Sequence, residues 1–460
     1  MRKLFVIGLG AALAGCSLMP EYQRPDLPVA AQWPQTAQPD GARKASATAW
    51  RAYFPDQKLQ ALIAAALEHN RDMKIAAARV EEARALYGIT RADRLPTVDA
   101  VASEQAARTP GDLSSLGRTA ISRRYDAGLS LLSFELDFWG RVKSLNEAAL
   151  ASFLASEEAR RALHLSLVSE VANAYFSLLE LDERTRLARE TVKSREETRT
   201  MIARRREVGL SGDLDFLQAD GALEGVRAEL ASLRRQQAAA ANALALLVGQ
   251  QSSGLPVGRT LTDQGIVADL AAELPAEVLL QRPDVLAAEK RLMAANANIG
   301  AARAAFLPRI SLTAGLGTAS SALSGLFGSG SESWTFQPSL RLPLFDAGRS
   351  AAGVDLAEAR KVIAVAEYEK IIQQAFREVA DLLAARTHLA EQLRAQEAAE
   401  KSQNERLRLA EARYKAGITS HLEVLDAQRE FFSTQQATVQ TRRAALVAAA
   451  QLYKALGGGS

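Results

Sequence analysis

From Arg141 to Val208 the chain contains neither glycine nor proline, and from Arg349 to Ala416 it contains one glycine and no proline. Proline removes a backbone donor, and glycine loses conformational entropy in a helix, so both stretches are free to be single uninterrupted helices. At 1.5 Å per residue each would be about 100 Å long, more than a compact domain can cover, so an elongated object is expected. The prolines enforce the same division: of 14, five fall between Pro20 and Pro39, none between Pro110 and Pro256, and none after Pro343. Each long stretch ends in a glycine turn and is followed by a second proline-free stretch, Asp213 to Val248 in one case and Ser420 to Leu456 in the other.

The two halves are copies. The segment "RRREVGLSGDLDFLQADG", Arg204 to Gly221, matches "ARYKAGITSHLEVLDAQR", Ala412 to Arg429, with Gly209 opposite Gly417, Leu214 opposite Leu422, Leu217 opposite Leu425 and Ala219 opposite Ala427. Leu95-Pro96 likewise corresponds to Leu307-Pro308, and Gly140-Arg141 to Gly348-Arg349, so the internal repeat covers more than the helices. Repeat 1 is expected over 57–249, with a helix from Gln57 to Arg94, a β-hairpin at 95–139, a long helix at 141–208 and a return helix at 213–248. A Gly-, Pro- and Ser-rich linker, 250–282, leads to repeat 2 over 283–460, with a helix at 283–306, a hairpin at 307–346, a long helix at 349–416 and a return helix at 420–456. Asp213 to Val248, about 54 Å, and Pro283 to Phe306, about 36 Å, sum to roughly one long helix, so one long helix can lie beside two short ones placed end to end, and Ser420 to Leu456 pairs with Gln57 to Arg94 in the same way. A heptad-like stripe, Val171, Ala174, Leu178, Leu181, Thr185, Ala188 and Val192, predicts side-by-side packing in coiled-coil fashion. The polar run Ala188 to Glu207 requires one face to see water.

The hairpins alternate with a period of two. In "PRISLTAGLGTA" Ile310, Leu312, Ala314 and Leu316 share one face, and in "SWTFQPSLRLPLF" Trp334, Phe336, Pro338, Leu340, Leu342 and Leu344 oppose Thr335, Gln337, Ser339 and Arg341. "LPTVDAVAS" and "YDAGLSLLSFELDF" hold the equivalent places in repeat 1, joined by the polar segment Glu104 to Arg124. Strands of about ten residues suit a tilted bilayer crossing. Two hairpins per chain leave open edges that hydrocarbon does not tolerate, so closure with further copies is expected, and three copies would supply twelve strands. Trp334, Phe336, Phe138 and Trp139 are candidates for an interfacial aromatic belt.

The chain opens with "MRKLFVIGLGAALAGC", where Arg2 and Lys3 precede an apolar run too short to span a bilayer. This is signal-peptide architecture over 1–15, and the single cysteine of the chain, Cys16, closes an "LAGC" that looks like a bacterial lipobox. Cys16 is therefore expected to become the lipidated N-terminus, followed by an extended segment over 16–56. By resemblance to the sorting of many Gram-negative lipoproteins, Ser17 rather than Asp behind it favours the outer membrane. With 56 basic and 53 acidic residues and no long single-sign run, no nucleic-acid footprint is present.

"LAGCSLMPEY", "FELDFWGR", "LLQRPDVLAAEKRLMAANANIGAARAAFLPRISLTAG", "PLFDAGR" and "ARYKAGITSHLEVLDAQ" together resemble the outer membrane factor family, the TolC-like and OprM-like ducts of tripartite efflux systems, most closely its lipoprotein branch. The resemblance spans almost the whole chain from Cys16. It implies a mixed α and β fold: a homotrimer with a twelve-stranded β-barrel continuous with a long periplasmic α-helical barrel. It further implies a periplasmic adaptor and an inner-membrane transporter as partners, contact with outer-membrane lipids, and neither a cofactor nor a metal.

Within that resemblance, positions matching Glu423 and Asp426 line the periplasmic entrance, Glu standing at 423 where Asp is more usual. In a trimer these acids, joined by Asp215, would form rings that favour cations. Tyr414 matches a tip contact that holds such ducts closed; Arg205, Arg206 and Lys415 are either partners for the gate or, as the plainer reading, solvated charges. Gly209 and Gly417 are expected to supply the positive φ or close approach needed at the hairpin tips, which an adaptor would recognise. His421 shares no face with the acids at helical spacing and is expected to be a bystander. The rivals are a periplasmic coiled-coil adaptor or scaffold lipoprotein without a pore, and a lipid-anchored hydrolase. The first should lack two lipid-length hairpins; the second should display a nucleophile or metal constellation that these residues do not form.

Overall fold

The computed structural model describes residues 17–34, 43–115, 117–250, 256–266, 270–271 and 275–459. The signal segment and Cys16 lie outside the described residues. The chain divides into two compact units, one containing residues 1–26, 79–157 and 287–368, the other 27–78, 158–286 and 369–460.

In chain order the elements are β1 (Arg43–Lys44), α1 (Trp50–Tyr53), α2 (Gln57–His69), α3 (Arg71–Ala92), β2 (Val98–Thr109), β3 (Ala120–Glu135), α4 (Arg141–Glu207), α5 (Asp213–Val248), β4 (Leu270–Ala271), α6 (Pro275–Leu279), α7 (Pro283–Ala304), β5 (Arg309–Ser320), β6 (Glu332–Arg341), α8 (Arg349–Lys415) and α9 (His421–Ala455). The two proline-free stretches form α4 and α8, each 67 residues long.

The sheet unit holds one four-stranded antiparallel sheet in the order β2-β3-β5-β6. The two hairpins, one from each repeat, meet along β3 and β5. Directly paired residues point to one face, and the register brings Leu129 opposite Leu316, Leu131 opposite Ala314, Leu316 opposite Trp334, Ala314 opposite Phe336, Leu312 opposite Pro338, and Val98 and Ala100 opposite Leu131 and Leu129. One continuous apolar face results. The opposite face carries Asp99, Ser130, Gly315 and Thr335 in one row and Arg309, Ser311, Ser339 and Arg341 near the end. A bulge between Leu131 and Phe134, with Ser133 at φ 52°, shifts the phase by one residue and returns Phe134 to the apolar face opposite Leu312.

The first hairpin corrects one expectation. Glu104 to Arg124 is not a connecting loop: the ladder continues from Val98↔Leu131 to Thr109↔Ala120, and the turn is confined to 110–119. A ladder is made of backbone groups, and polar side chains do not interrupt it where they reach water. The Tyr125 hydroxyl donates to Glu104 at 3.0 Å across the pair. Two equivalent corners then launch the long helices. The Asp137 carboxylate accepts the backbone N–H groups of Val142 and Lys143 at 3.1 and 2.7 Å, and Asp346 accepts those of Gly348 and Ser350 at 3.0 and 2.8 Å. Glu135 clamps the first corner, accepting from Arg141 at 2.8 and 2.7 Å and pairing with Arg309 at 2.6 Å.

The N-terminal segment lies along α7 in this unit. A Cβ built on Gly300 would sit 2.8 Å from Met19 Cα, and one on Gly140 would sit 3.2 Å from Ser17 Cα, so both glycines act as notches. Asn296 donates to the Pro20 carbonyl at 2.8 Å, and the buried Glu289 receives Arg24 at 2.7 and 3.0 Å and Tyr22 at 3.1 Å.

In the helical unit, Leu181 and Ala188 of α4 pack on Leu230 and Leu233 of α5, with Val192, Ala240 and Phe432 against them. Leu181, Ala188 and Val192 of the predicted stripe belong to this cluster, and Tyr175 and Phe176 of the same helix are also buried. The helix expected from Gln57 to Arg94 is two. Asn70 ends α2 and caps α3 by accepting from Asp72 and Met73 at 2.8 and 3.1 Å, while its amide donates to the Leu247 carbonyl at 2.9 Å. The segment expected to be extended contains β1, parallel to β4, and α1, whose Tyr53 stacks on Tyr453 at 4.4 Å. The linker is tied in by Asp56, which accepts from the Tyr175 hydroxyl and the Arg259 N–H, both at 2.9 Å.

Candidate gate at the helical hairpin tips

Both hairpin tips lie in the helical unit and use one backbone solution. At the first, Gly209 has φ 73°, its N–H bonds to the Arg206 carbonyl at 3.0 Å, and the Leu210 N–H bonds to Arg205 at 2.8 Å. At the second, Gly417 has φ 74°, with Gly417 bonded to Tyr414 and Ile418 to Arg413, both at 2.9 Å. This left-handed helix ending explains the two glycines by φ alone, because a Cβ on either would meet nothing within 4 Å. Leu210, Leu214, Ile418 and Leu422 are all exposed, so each tip presents apolar side chains at equivalent positions.

The acids are not bare. Glu423 pairs with Arg413 at 3.0 Å and accepts from the Thr419 hydroxyl. Asp426 is held between Arg406, at 2.8 Å, and Arg429. Asp215 accepts the Gly212 N–H at 3.3 Å, an N-terminal cap for α5. The expected partners behave differently. Arg206 pairs with Asp213 at 2.6 Å, Arg205 lies 5.9 Å from the centre of the Tyr414 ring, and Lys415 is exposed without an ion pair among the described residues. The pairing arginines are therefore Arg406, Arg413 and Arg429. Reflection through the turn would have found two of them, since antiparallel helices bring together residues about equidistant from Gly417, and Arg429 stands at i+3 from Asp426.

His421 is not a bystander. It is 8% exposed, and its ring meets Tyr414 edge-on at 5.1 Å with the planes at 74°. Tyr414 itself packs on the buried cluster Ala410, Val424 and Ala427. Burial pushes the His421 imidazole below the usual histidine range; Asp215 pulls it back up, and Arg205 pushes it further down. Tyr414 thus connects the hairpins, touching His421 on its own and Arg205 on the other. Among the described residues no group of three or more His, Cys, Asp or Glu could hold a metal ion.

Residues 62–250 and 274–458 match the family described as outer membrane efflux protein, one match per repeat. The outer membrane protein OprJ of Pseudomonas aeruginosa is 45% identical over 452 residues, 98% of this chain and 94% of that protein. The probable efflux pump outer membrane protein TtgC of Pseudomonas putida is 45% identical over 454 residues, 97% of this chain and 93% of its own length. Among solved structures, a membrane protein from Pseudomonas aeruginosa superposes with TM-score 0.90 at 44% identity, covering 96% of this chain and all of that one. The open state of the Neisseria gonorrhoeae MtrE outer membrane channel superposes with TM-score 0.89 at 40% identity, over 96% of this chain and 98% of that one.

Proposed function

This chain belongs to the outer membrane efflux protein family, and we propose that three copies of it close into one passive exit duct through the outer membrane. A single observation carries the reading: the β2-β3-β5-β6 sheet has one apolar face across all four strands and, among the described residues, no partner for the outer edges of β2 and β6. In hydrocarbon every unpaired backbone group costs several kcal/mol, so a sheet with this face must close on copies of itself. The exposure of Trp334 and Phe336, 75% and 62% in the single chain, fits a face turned to lipid. The scaffold alternative provides no use for such a sheet.

A periplasmic adaptor and an inner-membrane transporter would deliver cargo to the hairpin tips and supply the energy. The chain itself acts as a conduit, without cofactor or catalysis. Asp215, Glu423 and Asp426 serve as the periplasmic gate, opened by a shift of the hairpins. Cys16 carries the lipid.

Purification from outer membranes in detergent, a mass measurement and planar-bilayer currents test the proposal. A trimer that conducts more once Asp215, Glu423 and Asp426 are neutralised is expected. A monomer, or a trimer that never conducts, sinks it.

A further inference from the structure

We infer that a phospholipid of the inner leaflet is held at the corner where β3 passes into α4, its phosphate between Arg94 and Lys143. The inference rests on the membrane-spanning reading above. A recess of about 390 Å³ at this corner is lined by Arg94 beyond the end of α3, by Phe134, Leu136 and Phe138, and by Lys143 in the first turn of α4.

Its apolar side is lipid-facing by register. The bulge at Ser133 puts Phe134 opposite Leu312, on the face that carries Trp334 and Phe336. The Leu136 N–H still bonds to the Ile310 carbonyl at 2.9 Å, which carries the alternation one step further. Phe138 follows, 38% exposed. The recess is therefore the end of the hydrophobic face, where acyl chains give way to headgroups.

The polar side favours an anion because two of its three acids are already engaged. Glu135 is bound by Arg141 and Arg309, and Asp137 by the N–H groups that begin α4. Asp93 is left with Arg141 as its electrostatic neighbour. Arg94 and Lys143 are both exposed and have no ion pair among the described residues. Two uncommitted cations at the end of an apolar stripe match a phosphodiester with its chains attached; a free phosphate would leave the stripe uncovered.

Native mass spectrometry of the full-length trimer in a non-ionic detergent reads the site directly. Dioleoyl phosphatidylglycerol is titrated alone and then in competition with dioleoylglycerol or inorganic phosphate into wild type, Arg94→Gln/Lys143→Gln, the charge-conserving Arg94→Lys and Cys16→Ser. The expected result is one phosphatidylglycerol per chain on wild type and on Arg94→Lys, affinity about tenfold lower or worse on the double variant, and no displacement by dioleoylglycerol or phosphate. Equal binding by the double variant overturns the inference. So does displacement by inorganic phosphate, which marks a free-anion site, or binding that appears only in Cys16→Ser, which marks the recess as the seat of the chain's own acyl group. Planar-bilayer current on the same preparations keeps the two readings apart. A conducting trimer without the lipid difference fails this inference alone, whereas a non-conducting monomer fails the duct.

Discussion

The imidazole of His421 and the phenol ring of Tyr414 meet edge-on at 5.1 Å across the second hairpin tip, with Arg205 of the first hairpin on the same tyrosine. One aromatic ring thus couples both tips, and burial biases its histidine neighbour toward the neutral form. A folded pKa below the unfolded value means that the unfolded or opened tip binds the proton more readily. The contribution of His421 to closure is therefore intact above about pH 6.5 and is lost as pH falls through the depressed folded value. Channel current should rise as pH is lowered through this window, and His421→Phe, which keeps a ring against Tyr414, should flatten that rise. An unchanged pH profile in the variant would remove His421 from the gate.

Asp426 between Arg406 and Arg429 makes a second prediction. All three side chains are more than a third exposed, so the pairs are screened, and Asp426→Asn should cost less than about 1 kcal/mol of stability. Its effect should be on permeation: removing one negative charge per chain shifts the reversal potential under a salt gradient toward anions, and Arg406→Gln shifts it toward cations. Opposite shifts from the two variants, with similar melting temperatures, are the expected pattern.

The hairpin turns provide a control on backbone conformation. Gly209→Ala and Gly417→Ala should each cost about 1 kcal/mol in chemical denaturation through the left-handed φ alone, since no neighbour crowds the added methyl. Gly417→Asn should cost less and Gly417→Val more, because asparagine tolerates that region and a β-branched residue does not.

Much of this architecture could be read from where glycine and proline are absent, since a helix of this length needs little beyond their absence and a stripe to pack on. The alternation in β5 and β6 was equally legible, because apolar side chains on one face have few other uses. The first hairpin was less so: polar residues from Glu104 to Arg124 resemble a loop in composition, while the ladder that joins them is made of backbone groups common to every residue. At the tip, the resemblance singled out Glu423 and Asp426 but not the arginines paired with them, two of which, Arg406 and Arg413, come from across the turn. His421 was misjudged for the same reason, as helical spacing compares residues on one helix and Tyr414 lies on the other.

The N-terminal segment makes a fourth prediction. Glu289 is almost fully buried, and Arg24 supplies two of the three hydrogen bonds its carboxylate receives among the described residues. Arg24→Ala leaves that carboxylate with the Tyr22 hydroxyl alone and should cost about 2 kcal/mol. Glu289→Gln in the same background should recover part of the loss, because the burial then involves a neutral group. Thermal unfolding of the single and double variants checks both, and additive losses would exclude the pairing as the cause.

The seam between the two hairpins makes the last. Gly128 of β3 and Gly317 of β5 are direct partners, and a Cβ on Gly128 would stand 2.5 Å from the Leu316 carbonyl oxygen and 2.7 Å from Gly317 Cα. A Cβ on Gly317 would stand 2.2 Å from the Ala127 carbonyl oxygen, and backbone on both sides of the seam cannot give way without parting the strands. Gly317→Val should therefore unpair β3 from β5 and expose two further edges in each chain, an arrangement hydrocarbon does not tolerate. The expected outcome is loss of the heat-modifiable trimer band from outer-membrane fractions. Gly315→Ala, whose methyl would press on the rotatable Thr335 hydroxyl at 2.9 Å and make ordinary contact with the Leu129 carbonyl at 3.7 Å, should still assemble. Normal assembly of Gly317→Val would mean that the two hairpins do not share this seam in the membrane.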